Sequence, residues 1–155
     1  MQVKIHLTIY LLGNVANIMI GDPINAVNTF HNGLVGIYSE KSNLIARHNV
    51  FNNIGGNTYQ NRQLYPPPVY TLPNAAILAG GDGAATYSLT VGGNAANNEL
   101  NIFNGCETGV FAHTSINTSI SYNTFDLCNN AIGLQNIYRC TNSIVYYHYK
   151  IHNWH

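Results

Sequence analysis

Asn101-Ile102-Phe103-Asn104-Gly105-Cys106 and Asn123-Thr124-Phe125-Asp126-Leu127-Cys128 are one phrase written twice, with the phenylalanines 22 residues apart (125 − 103). Asn28-Thr29-Phe30 and Asn49-Val50-Phe51 are further copies of its opening, 21 apart (51 − 30). Six residues after the aromatic comes a small residue and then a branched apolar one: Gly36-Ile37, Gly109-Val110 and Ala131-Ile132. A fixed period of this size marks an array in which each unit buries its apolar face against a copy of itself. Between the Asn and Gly punctuation the runs are rich in Val, Ile, Thr, Tyr and Phe, which is strand composition. No stretch places apolar residues at helical spacing.

Three short strands per 22-residue turn, all running the same way, predict a single-stranded parallel β-helix. The expected strand segments are 3–11, 15–20, 34–38, 43–47, 75–79, 87–91, 108–112, 118–122, 131–134 and 143–149. Each residue then lies about 4.8 Å above its equivalent in the previous coil. Phe103 and Phe125 should stack inside, with Asn101 over Asn123 at a corner, bonded along the ladder as amides are in cross-β assemblies. Residues 57–74 contain Pro66-Pro67-Pro68, which cannot join a central sheet for want of a donor, and they read as one loop inserted into the stack. Gly80-Gly81-Asp82-Gly83 reads as a turn.

The chain has 155 residues, a length suited to one domain spanning 1–155. Charged residues are only 8%, against roughly 25% in ordinary soluble domains. Uncharged side chains must supply the polar surface, and 24 of them are Asn, a residue that tolerates the left-handed backbone of tight turns. Formal net charge is +0 and the six Lys and Arg are dispersed, which argues against a nucleic-acid partner. Near the N-terminus Val3, Ile5, Leu7, Ile9 and Leu11 alternate with Lys4, His6, Thr8 and Tyr10, a half-buried strand rather than a signal peptide. No run approaches membrane-spanning length.

Asn-x-Phe, then Gly-Ile or Gly-Val, then a polar turn and Asn43-Leu44-Ile45, Thr118-Ser119-Ile120 or Asn142-Ser143-Ile144, resembles the right-handed parallel β-helix repeats of the pectate-lyase-like superfamily. The resemblance covers most of residues 15–150, is weakest across 55–98, and is in the style of secreted bacterial surface proteins. It implies an all-β, right-handed solenoid of about six to seven coils, outside the cell or on its surface. It does not imply an activity, since lyases, hydrolases, adhesins and spacers share the scaffold.

Glycosidases need paired carboxylates, and the six acids here are scattered; only Glu99 and Glu107 fall within ten residues of each other. The family's lyases pair acids for calcium with an Arg or Lys base, and no counterpart motif is present. No cofactor is expected. The histidines at 148, 152 and 155 lie on a strand-like run whose spacing does not suit a metal, so no metal is expected either. Cys106 and Cys128 each follow the phrase phenylalanine by three residues and occupy one rung position. A buried thiol ladder and a staple between coils are both open readings; side chains pointing in parallel favour the ladder.

Two functions from different classes follow. One is a non-catalytic extracellular structural solenoid, a spacer, adhesin or fibre subunit whose ends dock on copies of itself or on adjoining parts of a longer chain. The other is a carbohydrate-binding or polysaccharide-cleaving protein in which the inserted loop shapes a groove, using Tyr59, Arg62, Tyr65, Tyr70 and Asp82. Exposed tyrosines offer flat apolar faces for stacking.

Overall fold

The computed structural model describes residues 9–22, 24, 27–55, 74–81, 87–114, 117–135, 137, 139–140 and 146–147. These residues are all-β, with every strand pairing parallel, and they curl into an arrangement consistent with a β-helix-like solenoid. No α-helix occurs among them; the only helical element is a 3-10 turn at Ala95–Asn97. None of their helices is long and apolar enough to cross a membrane.

The strands form three columns. In the first, the leading half of β1 (Ile9–Ile20) and of β3 (Ile37–Ala46) is followed by β5 (Ile77–Gly80), β8 (Thr108–His113) and β11 (Asn130–Gln135). The second continues through the trailing halves of β1 and β3 into β6 (Ser88–Gly92), β9 (Asn117–Ser121) and β12 (Arg139–Cys140). The third is built from β2 (Asn28–His31), β4 (Asn49–Asn52), β7 (Ile102–Asn104), β10 (Thr124–Asp126) and β13 (Tyr146–Tyr147). Each column thus has five levels among the described residues.

Register follows the phrase. Phe30 pairs Phe51, Phe51 pairs Phe103, and Phe103 pairs Phe125. Their rings stack with centroids 4.8, 5.0 and 4.7 Å apart and interplanar angles of 12°, 4° and 7°. Those separations match the spacing of paired strands, so backbone and ring stacking ask for the same rise. The glycines six positions after Phe30 and Phe103, Gly36 and Gly109, make room for the next ring. A Cβ on Gly109 would stand 2.5 Å from Phe125, and one on Gly36 would stand 3.0 Å from Phe51. Ile37, Ile77, Val110, Leu44, Leu89, Val91 and Ala112 complete the same apolar interior.

At the corner leading into the third column, a buried amide ladder takes over. The Asn101 Nδ2 donates to Asn123 Oδ1 and the Asn49 Nδ2 donates to Asn101 Oδ1, both at 2.9 Å. The backbone N–H groups of Asn49 and Asn101 donate to the same oxygens, while Nδ2 of Asn101 reaches Ala46 O and Nδ2 of Asn123 reaches Val91 O. The amides close the hydrogen-bonding needs of a bend that would otherwise bury orphan backbone groups.

Left-handed residues recur at equivalent corners among the described residues. After the third column they are Asn32, Asn53, Gly105 and Leu127; between first and second they are Gly13, Lys41 and Thr114; before the amide ladder they are His48 and Tyr122. Such a backbone costs a non-glycine residue roughly 1–2 kcal/mol, offset here by the stacking on either side.

Several expectations change. The Asn-x-Phe phrase is itself strand, forming the third column, and was not among the expected segments; at three or four residues it is too short to display alternation. Segments 34–38 and 43–47 fuse into β3, where left-handed Lys41 bends the strand without ending its ladder, and 15–20 joins the preceding run as β1, which bends at Gly13 and Asn17 with two register shifts. Gly80 belongs to β5 rather than to a turn. Phe51 pairs directly with Phe103, 52 residues on (103 − 51); of the expected 57–74 loop, residues 57–73 lie outside the described residues. The described levels number five against the six to seven coils expected of the whole chain; of the expected strand segments, residues 3–8, 143–145 and 148–149 lie outside the described residues.

Candidate functional site

Alternation within the first column sends Tyr10, Tyr38, Leu78 and Phe111 outward in one row and Leu12, Glu40, Gly80 and His113 in the next. Tyr38 and Phe111 each stand eight residues after a stacked phenylalanine (38 − 30 and 111 − 103), so the repeat that builds the core also lines up this face. Tyr10 is 61% exposed, whereas Leu78 is 4% exposed; an outward leucine on the middle level is covered by its neighbours. The rings of Tyr10 and Tyr38 lie 5.8 Å apart, and those of Phe111 and His113 6.2 Å apart.

Polar groups converge beside the aromatic row. The Tyr38 hydroxyl donates to Glu40 Oε2 at 2.7 Å. Burial, reinforced by that bond, pushes the Tyr38 hydroxyl up to about 12. Gly80 sits between Glu40 and His113 in register, and the His113 ring leans over it, 2.4 Å from where a Cβ would lie. Burial lowers the His113 pKa, with Glu40 acting in the opposite sense. The imidazole is therefore neutral at pH 7, with Nδ1 3.2 Å from Thr114 Oγ1 and Nε2 buried without a hydrogen-bond partner. A carboxylate, a neutral imidazole and flat rings together suit hydroxyl groups set on an apolar face.

The remaining described carboxylates are engaged elsewhere. Glu99 pairs with Arg47 at 2.7 Å, Glu107 accepts from Asn74 Nδ2 at 2.9 Å, Asp22 accepts from the Ile24 N–H at 2.9 Å, and Asp126 faces outward beside Asn104. Among the described residues no second carboxylate joins Glu40 in its row, and no group of three His, Cys, Asp or Glu is placed to hold a metal ion.

Of the residues singled out from sequence, Asn101, Asn123, Phe103, Phe125, Cys106 and Cys128 come together in interior ladders. Cys106 and Cys128 occupy one rung position and are free thiols. Tyr59, Arg62, Tyr65, Tyr70 and Asp82 lie outside the described residues. Tyr10, Tyr38, Glu40, Phe111 and His113 were missed. The constant offset from phenylalanine was the signal for Tyr38 and Phe111, while Glu40 and His113 become neighbours only once Gly80 is placed between them. No protein-family model, curated protein or solved structure matches this chain.

Proposed function

We propose that this chain is a non-catalytic, extracellular structural β-helix, right-handed and akin to the pectate-lyase-like solenoids, that builds surface spacers or fibres by end-to-end stacking. Parallel crossover connections favour the right hand strongly, and 155 residues at about 22 per turn give about six to seven coils once the inserted loop is set aside.

The carrying observation is that β1 and β11, the outermost described strands of the first column, belong to the same register rows. Ile9 and Ile132 end one inward row; Leu11 and Leu134 end another. Leu134 is 46% exposed although its row partner Ala112 is fully buried. An open parallel edge with an apolar inner row is a template for a further strand, and β1 of a second copy supplies the matching residues. At about 4.8 Å per level, the five described levels span about 24 Å and six to seven coils about 29–34 Å, which sets the axial repeat between about 24 and 34 Å. Electron microscopy and sedimentation of the purified chain test this: filaments with that repeat are expected, dispersed by Leu134→Glu. A monomer that persists at high concentration refutes it.

A second reading, a carbohydrate-binding or polysaccharide-cleaving protein, is favoured by one observation, the aromatic row beside Glu40 and His113. Binding on a glycan array, weakened by Tyr38→Ala, supports it; no binding and no activity on acidic polysaccharides removes it.

A further inference from the structure

We infer that Cys106 and Cys128 form a two-coordinate site for a soft d10 metal ion of the Cu(I) class, held between adjacent levels of the solenoid. The pair arises from the repeat itself. Gly33, Ile54, Cys106 and Cys128 each follow a stacked phenylalanine by three residues, so two thiols occupy neighbouring rungs of one ladder. Backbone bonds hold the register on both sides: Gly105 N–H donates to Asp126 O at 2.9 Å, and Asn129 N–H donates to Cys106 O at 3.1 Å.

The spacing decides what the pair can bind. Neighbouring levels lie about 4.8 Å apart, whereas a disulfide brings the Cβ atoms to about 3.8 Å with a dihedral near 90°. Side chains pointing in parallel from a stiff ladder meet that requirement poorly, and both thiols are free. A thiolate bond to a d10 metal ion is about 2.3 Å, so two laid end to end span about 4.6 Å, close to the rise between levels. Thiolates select soft ions such as Cu(I). Among the described residues no third His, Cys, Asp or Glu joins the pair, which disfavours the tetrahedral set that zinc requires.

The surroundings are consistent with a guarded site entered from one side. Cys106 is 1% exposed and Cys128 is half-buried, so an ion arrives at Cys128 first. Cys106 Sγ lies 3.7 Å from the carbonyl oxygens of Phe51 and Asn104, and Cys128 Sγ lies 3.6 Å from those of Phe103 and Asp126. The two thiols are also hydrogen-bonded to each other. On loading, two S–H bonds break, two metal–sulfur bonds form, and two protons pass to solvent; no electron is transferred.

The test is titration of the reduced 155-residue chain with Cu(I) against a chromophoric Cu(I) chelator, anaerobically. One Cu(I) per chain should be withdrawn from the chelator, with thiolate-to-metal absorption in the ultraviolet. Cys128→Ser and Cys106→Ala should each abolish uptake, while Cys140→Ser should retain it. Circular dichroism identifies any variant that fails to fold, and Cys128→Ser, at the half-buried position, keeps the comparison available. No uptake by the folded wild-type chain, uptake unchanged in folded Cys128→Ser, or quantitative conversion of the pair to a disulfide in air would each overturn the assignment.

Discussion

Asn101→Ala removes the central amide of the buried corner ladder. Asn101 is 0% exposed. Its Oδ1 accepts from the Asn49 N–H at 3.0 Å and from Asn49 Nδ2 at 2.9 Å; its Nδ2 donates to Ala46 O and to Asn123 Oδ1, both at 2.9 Å. Truncation takes away four bonds and strands the Asn49 N–H in a site sealed from water. Asn49 Nδ2 keeps its contacts with Ile20 O and Arg47 O, and Asn123 Oδ1 keeps the Asn101 N–H. One buried orphan donor costs about 1–3 kcal/mol, and the lost net bonds add about 1, so about 3 kcal/mol is expected. Asn101→Asp should be worse at neutral pH, because it points a buried carboxylate at Ala46 O and Asn123 Oδ1. Burial and those acceptors raise its native pKa above the unfolded value. The native state then binds the extra proton, and stability recovers as the pH falls through the raised pKa. Urea unfolding followed by circular dichroism at pH 7 and pH 5 measures both effects. A cost below about 1 kcal/mol for alanine, or an aspartate variant that is no worse than alanine and indifferent to pH, would refute the ladder argument.

Other outcomes follow from the same geometry. Phe103→Ala, which loses stacked neighbours on both sides, should cost about 3–5 kcal/mol, and more than Phe30→Ala, whose ring meets one described partner; equal costs in denaturant melts would contradict a continuous stack. Leu127 is 51% exposed at a positive φ of 54°, so Leu127→Gly should stabilise by about 1 kcal/mol in thermal melts, a sign opposite to most glycine substitutions. Burial and the Glu40 bond push the Tyr38 hydroxyl up to about 12, so ultraviolet titration should find its late ionisation, moved earlier in Glu40→Gln. Because that native pKa lies above the unfolded value of about 10, Tyr38 contributes stability below pH 10 that is lost as the pH rises toward 12.

Much of the interior was legible because the repeat places identical residues over one another. Phe103 with Phe125, Asn101 with Asn123 and Cys106 with Cys128 follow from counting alone. The leap from Phe51 to Phe103 was not countable, since the inserted chain hides the period; only the pairing of β4 with β7 restores it. The third column was invisible as strand because Ile102–Asn104 and Thr124–Asp126 have three residues each. Continuous strands such as β3 were read as two because Lys41 interrupts the apolar alternation while its left-handed backbone keeps the ladder running. The outer face was harder still. Glu40 and His113 are 73 residues apart (113 − 40) and lie in one register row on either side of Gly80, a relation carried by register and by the absence of a side chain.

Everything rests on whether equivalent residues of successive turns are nearest neighbours along the molecule. Nuclear Overhauser contacts between phenylalanine rings, in a sample labelled at Phe and assigned with single Phe→Leu variants, address this directly. The chain of contacts should run Phe30 to Phe51 to Phe103 to Phe125, with none between Phe30 and Phe103. Absence of the Phe103 to Phe125 contact, or a direct Phe30 to Phe103 contact, would contradict the stacked architecture.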